Sequence, residues 1–588
     1  MKDFLFVIPD SWSSFSVGPL PVRNALKVAG KNAYFGLEGC KQENPQAGQL
    51  EMVIDFSDCH FRTGAFEKTT FINAQINAVD FHYYFHVDCP QRKIVVSSCL
   101  FSILPIYYYQ GNNATFISNR AGLIVETIGK TWKVNTKFLV EQALFNYSFQ
   151  NETIYEGIKL LPANCLLTLD NSLRIENYFN ISDHYCSEPT SIKDSIEPLR
   201  DLFIAESDKY FSIDKSALSF TSGYDGRTLL ACSRFHKHKF ATYSFGARDN
   251  DDIIIPQATA RKLNIPFQAM IFDEDYAEND FFHDGVELMD LTDGNNNFLQ
   301  VHHLYSAKRL AKDHDCLLNG MFGSELFRAL HISGQVTSKE LVSLFMLDSV
   351  DELLAALKNS PKLNYFNKEH IADPLDQVME EVIRYKSETG GSGQDKNQQF
   401  YSYIFAEAFR KYFGAIIAPQ LKYINVRSPF LNLIFIKELL KSELAGVNNE
   451  FFTHNPLKRF KGQLLYAKII EKTDKELFRE KTTKNYSPKD LLTLLGRARV
   501  AYGYFKKKLV RKVGPRNLNN LMIISGMERN KERFKCDFVH SFFAIGITQQ
   551  LLESSLRHHD RDLIVQSLGM INFINNKKEK FYGNNSPA

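Results

Sequence analysis

Four times between residues 215 and 331, a short apolar run gives way to a stretch with helical periodicity. The pairs are KSALSF then GRTLLACSRF, FATYSFG then DDIIIPQATARKL, PFQAMIF then, after a long insertion, LQVHHLYSAKRLAKDH, and CLLNGMF then SELFRALH. Strands too apolar to keep one face wet, alternating with amphipathic helices, imply a parallel sheet covered on both faces. Sheets of that kind place ligands beyond the carboxyl ends of their strands.

The flanking regions read differently. Residues 1–180 form short β-rich runs such as RKIVVSSCLF, ILPIYYYQG and NATFISN, with β-branched and aromatic residues dominant, which predict paired or stacked sheets. One helical stretch, VNTKFLVEQALF, interrupts them. The polar segment ISDHYCSEPTSIKDS reads as a linker, with Ser191 and Asp194 as a capping pair for the next helix. Beyond residue 335 the pattern is mostly helical. ETGGSGQDK at 388–396 lies between two helical patterns, so it reads as a mobile loop and not a phosphate cradle, since phosphate loops follow strands. The expected division is therefore 1–180, 190–500 and a helical carboxyl-terminal extension at 501–588.

With 588 residues the chain exceeds what one core can serve, and 44% apolar against 23% charged residues is a globular balance. Seventy basic against 67 acidic residues argue against a polyanion binder, so no nucleic-acid partner is expected. The short run KKKLVRK at 506–512 reads as a solvated helix end. Nine cysteines without a CxxC pair suggest neither zinc nor disulfides. No apolar run of 18 residues and no signal-like h-region occurs, so the expectation is a cytoplasmic protein without a membrane partner.

The sharpest local signal is LSFTSGYDGRTLL, residues 218–230. A strand runs into Thr221, Ser222, Gly223, Tyr224, Asp225 and Gly226, and a helix follows at once. Small residues let backbone approach an anion, hydroxyls add donors, and the helix start adds partial positive charge. Asp225 suits such a place chiefly if Mg²⁺ stands between it and a phosphate. An ordinary strand-to-helix turn has the same local look.

TSGYDGR is similar to the pyrophosphate-loop motif S-G-G-x-D-S of the asparagine-synthetase family, with Asp225 at the Asp and small-residue exchanges elsewhere. Further segments match in order: ATYSFGARDNDDIIIPQATARKLNIPF, VRSPFLN against R-x-P-F-L-D, LFREKTTKNYSPKDLL, and, earlier, ILPIYYY and TIYEGIKLLPANCLLTLDNSLRIENYF. The resemblance covers about residues 90–490. It implies an α/β plus β-rich chain: an N-terminal Ntn-hydrolase-like αββα sandwich (a glutamine-amidotransferase-like domain) followed by a parallel-sheet PP-loop ATP pyrophosphatase domain, adenine nucleotide α-hydrolase-like, with a helical carboxyl-terminal part. It also implies ATP and Mg²⁺ as cofactors. Residues 221–226, with Gly320, would meet the phosphates, and Ser244, Phe245 and Gly246 would lie against adenine and ribose. Asp225, Asp249 and Asp252 would serve the metal. Arg427 would orient substrate, and Lys484, or alternatively Lys481, would steady the developing oxyanion.

Two departures qualify this. Glutamine-using members begin Met-Cys-Gly, whereas this sequence begins Met-Lys-Asp and its first cysteine is Cys40, so the expectation is a degenerate domain without glutaminase activity. Where the family has S-G-E-G-x-D-E-x-F, this chain has Asn319, Gly320, Met321, Phe322, Gly323, Ser324, Glu325, Leu326, Phe327. Glu325 alone remains of the carboxylates. Either Glu325 and the Asp249, Asp252 pair carry the metal, or catalysis is impaired. The resemblance thus implies an ATP-dependent, AMP-forming ligase that adenylates a carboxylate and joins it to an amine, as in the related β-lactam synthetases and lasso-peptide cyclases. Expected partners are a small-molecule or peptide substrate bearing a carboxylate, an amine nucleophile, and a second copy in a possible homodimer. The alternatives are asparagine biosynthesis from ammonia, and a non-catalytic relative that binds a nucleotide or a partner.

Overall fold

The computed structural model describes residues 1–12, 14–20, 33–38, 49–236, 240–327, 334–449, 461–510, 518–536, 540–544, 546–549 and 561–583. The chain is mixed α/β, with three sheets among the described residues. No described helix is long and apolar enough to cross a membrane.

The alternating region folds into a five-stranded sheet whose ladders are all parallel, ordered Phe267–Ile271, Phe240–Gly246, Ser216–Ser219, Cys316–Leu318, Asn425–Arg427. The chain starts in the central strand, builds outward on one side, then crosses to the other. The crevice where the order reverses lies between Ser216–Ser219 and Cys316–Leu318, which is where such sheets hold ligands. The fifth strand escaped the sequence reading. It is three residues long and arrives after some hundred residues of helix, too short for a periodicity to register.

The β-rich region contains two six-stranded sheets. One is ordered Lys159–Leu160, Tyr107–Gln110, Ala114–Ser118, Phe4–Pro9, Ala33–Leu37, Phe15–Pro19, antiparallel except for its last pair. The other, wholly antiparallel, is ordered Leu173–Asn177, Cys165–Leu169, Lys93–Ser98, Tyr83–Asp88, Gln49–Ile54, Cys59–Thr63. They stack face to face through alternate aromatic residues: Phe4 lies 5.0 Å from Tyr83 and 4.9 Å from Phe85, and Phe6 lies 5.2 Å from Phe85. Alternation turns the neighbouring residues Tyr84 and Val95 to the outer face, where Phe71 of the helix Lys68–Asn77 covers them. That helix and Ala121–Ile128 are additions to the single helix expected in this region, which is present as Thr136–Phe145.

The expected linker is fastened down. Ser191 caps the helix Ile192–Ser207 and its hydroxyl donates to Asp194 at 2.6 Å, as the sequence suggested, but Thr190 exchanges backbone hydrogen bonds with Lys441 and Glu443. Of residues 388–396, read as a loop, 388–390 end the helix Lys368–Gly390 and Lys396 starts the helix Lys396–Tyr403, so only 391–395 form the short connection. The side chains of the basic run 506–512 lie outside the described residues. Helix Arg561–Asn576 packs against Phe281–Leu291 of the insertion, and Phe581 stacks on Tyr155 at 5.3 Å. The carboxyl-terminal extension thereby ties the insertion to the β-rich region. The described cysteines are all free thiols.

Candidate functional site

At the head of the central strand, the Phe220 N–H donates to the Tyr243 carbonyl at 2.8 Å, extending the sheet by one residue before the loop turns away. The helix Asp225–Ser233 then starts directly against that strand. A Cβ on Gly226 would lie 2.2 Å from the Ser219 carbonyl oxygen, so this close return requires glycine. The matching loop after Cys316–Leu318 comes equally close: a Cβ on Gly320 would sit 2.8 Å from Asp225 Cβ and 3.0 Å from Gly226 N. The two loops thus flank the crevice back to back.

Asp225 is held between two hydroxyls. Ser324 donates to its Oδ2 at 2.8 Å, and Tyr466 of the helix Lys461–Thr473 donates to its Oδ1. Ser324 stands where the resembled motif carries Asp, so a neutral donor here occupies an oxygen that a second carboxylate would have repelled. Tyr466 was invisible to sequence reasoning, because nothing in KGQLLYAKII distinguishes a ligand-facing tyrosine from a core one.

Asp252, in the first turn of the helix Asp251–Lys262, accepts from both the Ser222 backbone N–H, at 3.2 Å, and the Ser222 hydroxyl. It thereby fixes the loop from the neighbouring strand's side. Asp249 is exposed in the turn ahead of that helix. Ser244 is fully buried with an unpartnered hydroxyl, Phe245 lies against Phe272, His302 and His303 at 5.8, 4.8 and 5.6 Å, and Gly246 ends the strand at φ +151°. Burial holds the His302 imidazole down at about 4, so it is neutral near pH 7.

The fourth component arrives from some 250 residues downstream. Thr483 Oγ1 receives the Ser222 hydroxyl at 3.4 Å, the Lys481 carbonyl accepts from Arg227 at 3.2 Å, and Tyr486 packs 6.4 Å from Tyr224. Lys481 and Lys484, both exposed, are therefore carried on a loop fastened to residues 222–227. Arg227 itself is the residue the sequence reading passed over. Its side chain is 0% exposed, its Nε and Nη1 have no hydrogen-bond partner, and its guanidinium lies 5.6 Å over the Phe220 ring. Burial lowers it to about 10, only partly opposed by Tyr224 and Glu480.

The chain matches no protein-family model and no curated protein sequence. The site must therefore be judged on its own geometry, which brings together most of the residues singled out above. Arg427 is the correction. Both arms of its guanidinium grip Asp80 of the β-rich region at 2.6 Å, and Nη1 donates to Ser212 at 3.1 Å. Its side chain fastens the two regions together, and only its backbone carbonyl meets the loop cluster, accepting from the Asn319 N–H at 3.1 Å. Glu325 sits half-buried in the helix Gly323–Phe327. Just ahead of it, Phe322 holds a φ of +73°, a conformation costly for a bulky residue, and is pinned by Phe409 and Phe413 at 4.8 and 4.6 Å.

The donor set suits a chain of phosphates. It offers the Thr221 hydroxyl, a helix start, the unpartnered Asn319 amide nitrogen and Ser244 hydroxyl, and the buried Arg227 with two unpartnered N–H groups. It does not suit a metal held by protein alone, since no group of three potential ligands occurs among the described residues. Mg²⁺ that keeps waters and phosphate oxygens needs only one or two carboxylates, and Asp225 and Asp252 are those on offer.

Proposed function

We propose that the chain is an ATP-dependent, AMP-forming ligase of the asparagine-synthetase type, joining a carboxylate to an amine without glutaminase chemistry. The observation that carries this reading is the meeting of four segments, 219–227, 244–252, 319–325 and 481–486, around the crevice at the carboxyl ends of the parallel strands. In this reading the parallel sheet is a PP-loop pyrophosphatase domain, and the stacked pair of six-stranded sheets is a degenerate Ntn-like domain retained as scaffold.

In that scheme a substrate carboxylate oxygen attacks the α-phosphate of ATP, pyrophosphate departs, and an amine then displaces AMP from the acyl-adenylate. Mg²⁺, when bound, would neutralise phosphate charge. The chain's own contributions are positional and electrostatic. Asp252 holds the Ser222 turn in place by taking both its N–H and its hydroxyl, the Thr221 hydroxyl beside it donates to the departing pyrophosphate, and the Asp225–Ser233 helix start faces it. Lys484, with Lys481 as alternative, supplies cationic charge from a loop that Arg227 keeps in register.

The test is ATP–pyrophosphate exchange over a panel of amino acids and carboxylate-bearing peptides, with wild type and Asp225→Ala. Exchange that needs one panel member and vanishes in the variant is expected. A second reading, a nucleotide binder without turnover, is favoured by the engagement of both Asp225 oxygens with Tyr466 and Ser324. It would give a thermal shift with ATP and Mg²⁺ but no exchange with any donor.

A further inference from the structure

A cavity of about 580 Å³ opens where four parts of the molecule meet: the end of the helix Thr136–Phe145, the insertion at 295–300, the helical region near 335–340 and 411–415, and the carboxyl-terminal helix at 562–566. That volume lies within the range of small-ligand sites. Seven carboxamides contribute to its wall; Asn296 is bonded at both ends, to the Ala415 carbonyl and the Asn297 N–H, and the other six at one end only. Asn146 Nδ2 donates to the carbonyls of Gly334 and Gln335 at 2.9 and 3.0 Å, and Asn295 Nδ2 to the Thr292 carbonyl at 2.9 Å. Asn297 Oδ1 accepts from the Leu299 N–H at 2.9 Å, and Gln566 Nε2 donates to the Gln142 carbonyl at 3.3 Å. Gln300 Nε2 donates to both Gln335 Oε1, at 2.6 Å, and the Tyr412 hydroxyl, at 3.0 Å.

Backbone groups fix the orientation of Asn146, Asn295, Asn297 and Gln566, while Gln300 and Gln335 orient one another together with Tyr412. The other ends, with acceptors on Asn146, Asn295, Gln300 and Gln566 and donors on Asn297 and Gln335, have no hydrogen-bond partner among the described residues. The buried cations that touch the cavity are already matched: Lys362 meets Glu340 at 2.9 Å, and Lys411 donates to the Ser148 carbonyl at 2.6 Å and pairs with Glu407. Lys339 and Asp562, of opposite charge, also line the cavity, which therefore offers an array of donors and acceptors without a net charge. A peptide group complements a carboxamide at two points at once, N–H to O and O to H–N.

The cavity also backs onto the candidate site. Tyr412 lines the cavity while the adjacent Phe413 packs 4.6 Å from Phe322 of the 319–325 loop; burial, and then the nearby charge of Glu325, push the Tyr412 phenol up. Tyr412 belongs to a ten-residue π-helical segment, Ile404–Phe413, a rare geometry frequent at functional sites.

We propose that this cavity binds the backbone of a short neutral peptide segment and delivers it beside Glu325, with the carboxyl-terminal helix as one wall of the site. The fate of the peptide rests on the ligase reading; its binding does not.

The test is isothermal titration of the full chain with acetyl-tetraglycine amide and acetyl-tetraalanine amide, with acetyl-tetraaspartate amide and maltotriose as comparisons. The neutral peptides are expected to bind, and Asn297→Leu and Gln566→Leu each to weaken them at least tenfold while the melting shift with ATP and Mg²⁺ stays as in wild type. Should Asn297→Leu unfold, Gln566→Leu, whose lost oxygen lies on the outermost helix, decides alone. No neutral-peptide binding, tighter binding of the acidic peptide or of maltotriose, or equal binding by wild type and Gln566→Leu would overturn the proposal. Peptide binding with no ATP–pyrophosphate exchange would leave the cavity standing and remove the ligase reading.

Discussion

The seam between the β-rich region and the parallel sheet, and the crevice at the strand ends, both bury arginines, but they treat them in opposite ways. At the seam Arg427 grips Asp80, and Arg120 lies within 3.6 Å of Asp3, Asp290 and Asp293. In the crevice Arg227 has a single carbonyl partner and no ion pair among the described residues, and burial lowers its pKa to about 10 against the more distant charge of Glu480. Matched charges at the seam hold two regions in one geometry. The unpaired one behind the anion-shaped loop leaves two buried N–H donors without a partner.

The comparison breaks most directly at Asp80. Asp80→Ala leaves Arg427 buried without its carboxylate and is expected to cost about 2–3 kcal/mol in urea unfolding, toward the lower end for buried pairs because Asp80 is a third exposed. The ATP-induced melting shift should persist in this variant; a loss below about 1 kcal/mol would mean the seam is not charge-held. Arg227→Met should do the reverse. Removing an unmatched buried charge is expected to leave stability level or raise it by about 1 kcal/mol, while ATP–Mg²⁺ affinity falls about tenfold, or ~1.4 kcal/mol. Destabilisation with unchanged affinity would make Arg227 a seam residue like the others.

Ser324→Ala removes one of the two hydroxyls on Asp225. Loss of one hydrogen bond to a carboxylate, about 1 kcal/mol, should change the Mg²⁺ concentration at half-maximal thermal shift by several-fold, with little effect on unfolding. The smallest effect is a slope. Glu141, buried beside Lys137 and Glu381, has its carboxyl pushed up to about 8 by desolvation, with Lys137 opposing and Glu381 reinforcing. Between about pH 4.5 and 8 the native state keeps a proton that the unfolded chain has released, so stability falls as pH rises through that window. Glu141→Gln should flatten this fall by ~0.5 kcal/mol per pH unit, read from urea midpoints at pH 5, 6.5 and 8. Identical slopes would show that Lys137 keeps the carboxyl ionised.

The four strand–helix pairs, the cap at Ser191 and the small-residue loop at 221–226 were all legible, because each depends on near neighbours: periodicity, a capping oxygen, a turn that only glycine fits. The fifth strand, the helices Lys68–Asn77 and Ala121–Ile128, and the packed state of residues 185–190 were not. Lys68–Asn77 buries only Phe71 and Gln75, so its sequence carries almost no helical stripe. Arg427 shows the same limit at the site. An arginine ahead of Pro-Phe-Leu looks free to meet substrate, and only its neighbour in space, 347 residues away in sequence, commits it to Asp80.

The sequence by itself therefore determined the alternation that makes a parallel sheet and the loop that can approach an anion, since both are written in consecutive residues. Only the tertiary structure decided which hydroxyls hold Asp225, that Arg227 is buried without a counter-charge, and that carboxamides from four distant segments line one cavity. Hydrogen bonding and burial are properties of what folding brings within a few ångströms, and the chain order of this protein places those partners up to several hundred residues apart.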